Sequence, residues 1–299
     1  MMDPRRILKM GPKRLLQKTF CFDEIYTIAL RKKGSEEAFT MVPNQPDTWM
    51  ADPLITTWND KDYLYAEVFD QHTNRGHISY AMLSEDPLQF HSVLEEPYHM
   101  SFPMIFAWNG QYYLIPETSE NHSINLYRAE QMPGRWKRLK SFPTKGLIVD
   151  SVVLSIEENK VHFLASESDP ENGLRCRFMK YSIQKSNGDY QLHWDTEFNS
   201  SQNYNYQDRC AGPLVDGAIL PVQISTDLDY GVSIQFRNLK EKKVEQVMNR
   251  DNTDIHGIPA DRIIGIHTWS QGKYYEAIDA RYLKKDVLLN LHRLERRFR

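Results

Sequence analysis

Acidic side chains stand at corresponding places in a repeated phrase of this 299-residue chain, joined by one arginine and one histidine. An inner set comprises Asp52, Ser101 with Phe102, Asp150, Arg209 and His267. A second set comprises Glu67, Glu117, Glu167 or its neighbour Ser166, Gln223 and Asp279. Separated carboxylates on a rigid frame are what sugar-bond chemistry needs. A protonated acid serves the leaving oxygen, a base activates the attacking group, and their separation decides the stereochemical outcome. Arg209 stands beside Cys210, Ala211 and Gly212, small residues that let other groups approach. A buried guanidinium wants a planar anion, so a phosphate, a carboxylated sugar or one of the ring's own Asp residues would satisfy it.

Each of these residues also has a structural reading. Asp52 precedes Pro53, an ordinary turn dipeptide. Asp150 opens an apolar strand between Val149 and Ser151, where a carboxylate is costly unless hydrogen-bonded or used. Glu67 and Glu117 recur at one repeat position, which suits acceptors for backbone amides as well as ligands for substrate. His267 is as readily a satisfied inner-strand histidine as a catalyst.

The elements that must position them are hairpins. Residues 53–67 and 103–117 share Pro, Ile, Trp, Asn, Tyr, Leu and Glu at seven of fifteen positions, with an offset of 50. In each, an apolar run follows the Pro, a polar turn reverses the chain, and an aromatic run ends in Glu. Weaker copies follow at 149–164, 211–222 and 265–275. With Asp52, Phe102, Asp150, Ala211 and His267 as markers, the steps are 50, 48, 61 and 56 residues. Each step leaves room for about two further strands, and repeats of this period build propellers. The expectation is an all-β, five-bladed β-propeller. Segments 76–81 and 123–129 supply outer strands, and 24–30 completes the last blade to close the ring. The first strand of each hairpin is innermost, so its leading residues gather about the axis. The second strand returns to the same face about 4.8 Å further out.

Composition narrows the reading. Aromatics at 12% suit pleated strands and sugar-stacking surfaces alike. A net charge of −3 gives no case for a nucleic-acid partner. Cys21, Cys176 and Cys210, odd in number and widely spread, make neither a disulfide scaffold nor a zinc site; no metal and no cofactor is expected. Residues 1–18 lack the continuous apolar core of a signal peptide, and no apolar run reaches transmembrane length. The expected location is therefore cytoplasmic. Both ends are basic, with Arg5, Arg6, Lys9, Lys13, Arg14 and Lys18 at one and Lys284, Lys285, Arg293, Arg296, Arg297 and Arg299 at the other. Such segments either pack as solvated helices or lie on an anionic membrane, which would put the protein at the inner membrane face. The division expected is a basic segment over 1–20, the propeller over 21–283, and a basic helix over 284–299.

Several phrases together resemble the N-terminal five-bladed propeller domain of plant glucosamine inositolphosphorylceramide transferases and related bacterial proteins. They are 49–54 (WMADPL), 76–81 (GHISYA), 93–103 (VLEEPYHMSFP), 112–118 (YYLIPET), 126–129 (LYRA), Val149-Asp150, 209–212 (RCAG) and Tyr230-Gly231 after Gln223. The resemblance covers roughly residues 45–280 and is strong up to Asp150. More distantly, the architecture is similar to family-43-type propeller glycosidases, which implies an Asp base in blade one, a second Asp in blade two and a Glu acid in blade three. Asp52 falls on the first position. The second lands on Ser101-Phe102 and the third near Asp150, so that set is incomplete here. The resemblance implies a carbohydrate-active enzyme with Asp52, Asp150 and Glu117 as catalytic candidates. It implies Glu67, His99, Arg209, Gln223, Tyr230 and His267 as substrate contacts. Three functions follow: transfer of a sugar from a sugar nucleotide to a glycan or lipid-linked acceptor, glycoside hydrolysis, or glycan binding as accessory to a separate glycosyltransferase.

Overall fold

Five antiparallel sheets take up the repeat. The computed structural model describes residues 22–285. The basic ends lie outside those residues, save Lys284 and Lys285, which finish the last strand. Blade one runs Thr48–Trp58, Lys61–Asp70, Arg75–Met82 and His91–Leu94. Blade two runs Ser101–Trp108, Gln111–Glu117, Ser123–Gln131 and Arg135–Pro143. Blade three runs Leu147–Ile156, Lys160–Ser168, Cys176–Ser186 and Asp189–Trp194. Blade four runs Arg209–Cys210, Ile219–Ile224, Ser233–Asn238 and Lys243–Asn249. Within each, spatial order follows chain order. A short helix, Thr196–Ser200, capped by the Asp195 side chain, helps fill the long interval before blade four.

The last blade is made from both ends of the described chain. Ile263–Gln271 and Tyr275–Lys285 pair as a hairpin, and Phe22–Lys32 adds antiparallel to the second of these over eleven residues. Phe39–Met41 follows, and Ile255–His256 joins parallel at the outer edge. The ring closes as the sequence predicts. The first two hairpins turn on pairs that both adopt positive φ, Asn59-Asp60 (48° and 60°) and Asn109-Gly110 (50° and 70°). These suit the type I′ geometry that matches strand twist. The core lies between neighbouring blades: Phe106, Trp108 and Tyr113 of blade two meet Phe163 and Tyr181 of blade three, for example.

One irregularity recurs around the axis. The inner strands of blades one, two, three and five each set two residues against one on the second strand. The pairs are Asp52-Pro53, Phe102-Pro103, Asp150-Ser151 and His267-Thr268. Such bulges bend a strand, re-aim its side chains and leave backbone groups unpaired. Asp52, Phe102 and Asp150 adopt positive φ of 51°, 42° and 47°. Asp tolerates that region; a bulky residue such as Phe102 is held there at a cost of roughly 1–3 kcal/mol. The inner strand of blade four has no such bulge, and Arg209 sits directly opposite Gln223.

Candidate functional site

The bulges create the site by leaving N–H groups that need acceptors. In blade five Asp279 lies opposite the bulge, and its Oδ1 accepts from the backbone N–H of His267 (3.2 Å) and Thr268 (2.9 Å). Its Oδ2 accepts the N–H of Asp52 from blade one, at 3.0 Å. Asp52 Oδ2 in turn accepts the N–H of Phe102 from blade two, at 3.3 Å. Further round, Ser166 Oγ accepts from Cys210 N–H (2.9 Å), and Ala211 O accepts from Trp269 N–H (2.7 Å). The ring is thus stitched from blade to blade by the groups that line it.

His267 stands between two of these acids. Its Nδ1 lies 2.6 Å from Asp279 Oδ1, an ion-pair contact off the axis of a ring N–H, and its Nε2 lies 3.5 Å from Asp52 Oδ1. Asp52 is 8% exposed, His267 5% and Asp279 0%. Burial opposes charge on Asp279, but His267 and the N–H groups of Thr268 and Asp52 hold its carboxyl below the usual range. Burial also opposes the imidazolium, and Asp279 and Asp52 override it to raise His267. Asp52 is pushed up to about 7 by burial, against the pull of His267 and with the added repulsion of Asp279 and Asp150. Room for the histidine is made by Gly231, at φ +55°, where a Cβ would come within 2.5 Å of the His267 Cβ.

Across the ring, one guanidinium serves two acids. Arg209 Nε is hydrogen-bonded to Asp150, and Nη2 lies 3.6 Å from Glu117 Oε2. The Tyr230 ring lies 5.0 Å from the guanidinium carbon and 5.4 Å from the His267 ring, bridging the two groups. Of the partners named for Arg209 on sequence, the ring's own Asp is met, by Asp150. Burial pushes Asp150 up to about 7, against Arg209 and helped by Glu117. The physical account is a buried carboxyl with a second carboxylate as neighbour and one cation to serve both.

The remaining candidates fall around these two groups. Gln223 is buried beside Arg209, with Nε2 3.4 Å from Ser225 Oγ and Oε1 without a partner. Glu67 is buried, and His99 Nε2 lies 3.5 Å from its Oε1. Glu167 faces away, bonded to Arg177 (2.6 Å) and Tyr204 (2.9 Å), so Ser166 is the ring member of that pair. Asp279 faces His267 rather than forming part of the outer set, because it lies opposite the bulge; the position equivalent to Glu67 in blade five is Ala280, opposite Ile266. Tyr26, absent from the sequence candidates, contacts the His267 ring at 4.9 Å from the closing strand. Only its place in a strand that closes the ring could have signalled that.

Among the described residues, Asp52, His267 and Asp279 are the one set whose donor atoms come within a cation's reach, all within 4.8 Å. Asp279 meets Nδ1 and Asp52 meets Nε2. The lone pairs of those nitrogens diverge, so a cation could take one nitrogen with one carboxylate, and the arrangement suits a proton path better. A hollow of about 10 Å³ lies among Asp52, Phe102, Pro103 and Gly212. Arg209 keeps 16% of its side chain exposed and His99 keeps 31%.

Residues 38–289 match the family described as Glucosamine inositolphosphorylceramide transferase 1, N-terminal. Glucosamine inositolphosphorylceramide transferase 1 of Arabidopsis thaliana is 34% identical over 113 residues, covering 36% of this chain and 14% of that protein. The protein of the same name from Oryza sativa subsp. indica is 29% identical over 111 residues, covering 36% and 15%. The matched stretch therefore spans a small part of those relatives' length. Among solved structures, the catalytic domain of Coprinopsis cinerea GH62 alpha-L-arabinofuranosidase has a TM-score of 0.49 at 10% identity, covering 88% of this chain and 97% of that one. A thermostable family-43 glycoside hydrolase has a TM-score of 0.40 at 11% identity, covering 81% and 76%.

Proposed function

The chain belongs to the family of the N-terminal domain of glucosamine inositolphosphorylceramide transferase 1, and from that membership and the ring we propose a carbohydrate-active propeller that transfers a sugar to a glycan or lipid-linked acceptor. The observation that carries the reading is the pair Asp52 and Asp150. They are two buried carboxylates on bulges of one ring, each beside its own cation, with their protons held near neutrality. Asp52 takes the proton of the acceptor hydroxyl as that oxygen bonds to the anomeric carbon. The bond from that carbon to the leaving oxygen breaks, and the leaving oxygen takes a proton from the Asp150–Glu117 pair if it needs one. His267, oriented by Asp279, steadies the Asp52 carboxylate before the transfer. The relatives' name makes amino sugars and inositol-phosphate lipids the first donors and acceptors, in that order, to try. The basic residues within 1–18 fit work at an inner membrane face.

The test is a thermal-shift screen of wild type and Asp52→Asn against sugar nucleotides, sugar phosphates and neutral oligosaccharides, followed by product analysis with the stabilising donor. Transfer predicts that a sugar nucleotide raises Tm and that a glycosylated acceptor forms, with product lost in Asp52→Asn. Release of free sugar without acceptor would replace transfer by hydrolysis. Stabilisation by free glycans alone, with no product, would replace transfer by glycan binding without chemistry.

A further inference from the structure

Three positions are equivalent across blades one to three, each opposite the residue before a bulge: Glu67, Glu117 and Ser166. Two are satisfied. Glu117 accepts from Ser119 Oγ at 2.7 Å and faces Arg209, and Ser166 accepts from Cys210 N–H. Glu67 differs: it is 4% exposed, and its Oε1 has no hydrogen-bond partner. A buried carboxyl oxygen left unsatisfied costs roughly 1–3 kcal/mol, so its persistence asks for a ligand.

The neighbour of that oxygen is fixed. His99 Nδ1 accepts the N–H of Gly76 at 2.9 Å, which puts the ring proton on Nε2. The His99 backbone N–H is held by Glu120 Oε2 at 2.5 Å. Burial lowers the pKa of His99 and raises that of Glu67 well above its usual range, in keeping with a neutral pair. Nε2–H and Oε1 are 3.5 Å apart, beyond hydrogen-bond geometry. Gly76 is needed for this arrangement, since a Cβ there would stand 2.5 Å from Oε1.

We propose that Glu67 and His99 form a sugar-hydroxyl subsite beside Asp52, in which one hydroxyl of an uncharged pyranose donates to Glu67 Oε1 and accepts from His99 Nε2–H. The two protein atoms offer one acceptor and one donor. A hydroxyl answers both; an ammonium has three donors and no acceptor, and would leave His99 unmatched. The subsite rests on the carbohydrate reading given above, and it names the group by which a sugar is selected.

The experiment is calorimetric titration of wild type, Glu67→Met, Glu67→Gln and His99→Phe with methyl pyranosides of gluco, galacto, manno and 2-amino-2-deoxygluco configuration. Each monodeoxy form of the tightest binder is included, and circular dichroism checks the fold. One monodeoxy form should bind wild type about tenfold more weakly than the parent, the scale of one hydrogen bond. That preference should vanish in Glu67→Met and His99→Phe, and survive in Glu67→Gln, which keeps an acceptor oxygen. An unchanged preference in both breaking variants would overturn the subsite while leaving the carbohydrate reading standing. Loss of the amino sugar alone in Glu67→Gln, with His99→Phe unaffected, would overturn it in favour of an ammonium. Binding of no pyranoside to wild type would overturn both. Pyranosides bound with the preference but never transferred would overturn transfer and leave the subsite.

Discussion

The two cation-centred groups on the ring differ in which member can let go of a proton. Around His267, the cation itself titrates: Asp279 is held ionised by three N–H donors, and Asp52 is left to trade a proton with the imidazole. Around Arg209 the cation is permanent, and the group that burial pushes up is Asp150 instead. One group pairs its raised carboxyl with a cation that titrates, and the other pairs its own with a cation that does not. The difference shows how a fold that repeats the same hairpin assigns unlike tasks to its blades. It changes the residue at one position per blade and drops the bulge in blade four.

Removing the permanent cation should do most damage. Arg209→Met leaves Asp150 and Glu117 buried together without a counter-charge, and should cost on the order of 3–5 kcal/mol in urea unfolding at pH 7. A loss no larger than that of Asp279→Asn would break the comparison. Asp279→Asn should cost less, about 1–3 kcal/mol, because an amide oxygen still accepts N–H groups but no longer draws the imidazolium. The stability due to a depressed Asp279 is present above its unfolded pKa and lost as pH falls through the folded one. That due to a raised His267 is present below its unfolded pKa and lost as pH rises through the folded one. NMR titration of His267 should therefore show its pKa falling in Asp279→Asn and staying raised in Arg209→Met.

A third effect has the opposite sign. Asp52 is raised to about 7, so the folded state holds its proton more tightly than the unfolded state does. Its ionisation lowers stability progressively from its unfolded pKa, about 4, up to about pH 7. Asp52→Asn should then raise Tm by a few degrees at pH 8 and by almost nothing at pH 4, read by calorimetry across that range. A variant that is less stable at pH 8 would mean that the His267 contact outweighs burial.

The inner positions were legible because identity between 53–67 and 103–117 sets the hairpin register, and register sets which residues face the axis. Closure of the ring by residues 24–30 followed from the same count. The bulges were not legible. Nothing in Asp52-Pro53 or His267-Thr268 announces that two residues will oppose one, nor that Asp279 will lie opposite such a bulge and accept its N–H groups. Pairing was equally hidden. Arg209 left three partners open on sequence, and only the approach of separate blades selected Asp150. Tyr26 escaped because a lone aromatic in a strand reads as packing.

The closing blade has a consequence in time. Asp52 and Asp279, which share a hydrogen bond, are 227 residues apart in the chain. As the polypeptide leaves the ribosome, Asp52, Glu117 and Asp150 emerge long before the histidine and the aspartate that complete their ring, and the early strand 22–32 waits for Tyr275–Lys285 to pair with it. The centre is thus assembled last, and a chain cut short anywhere within the final hairpin has its acids but no finished ring to use them in.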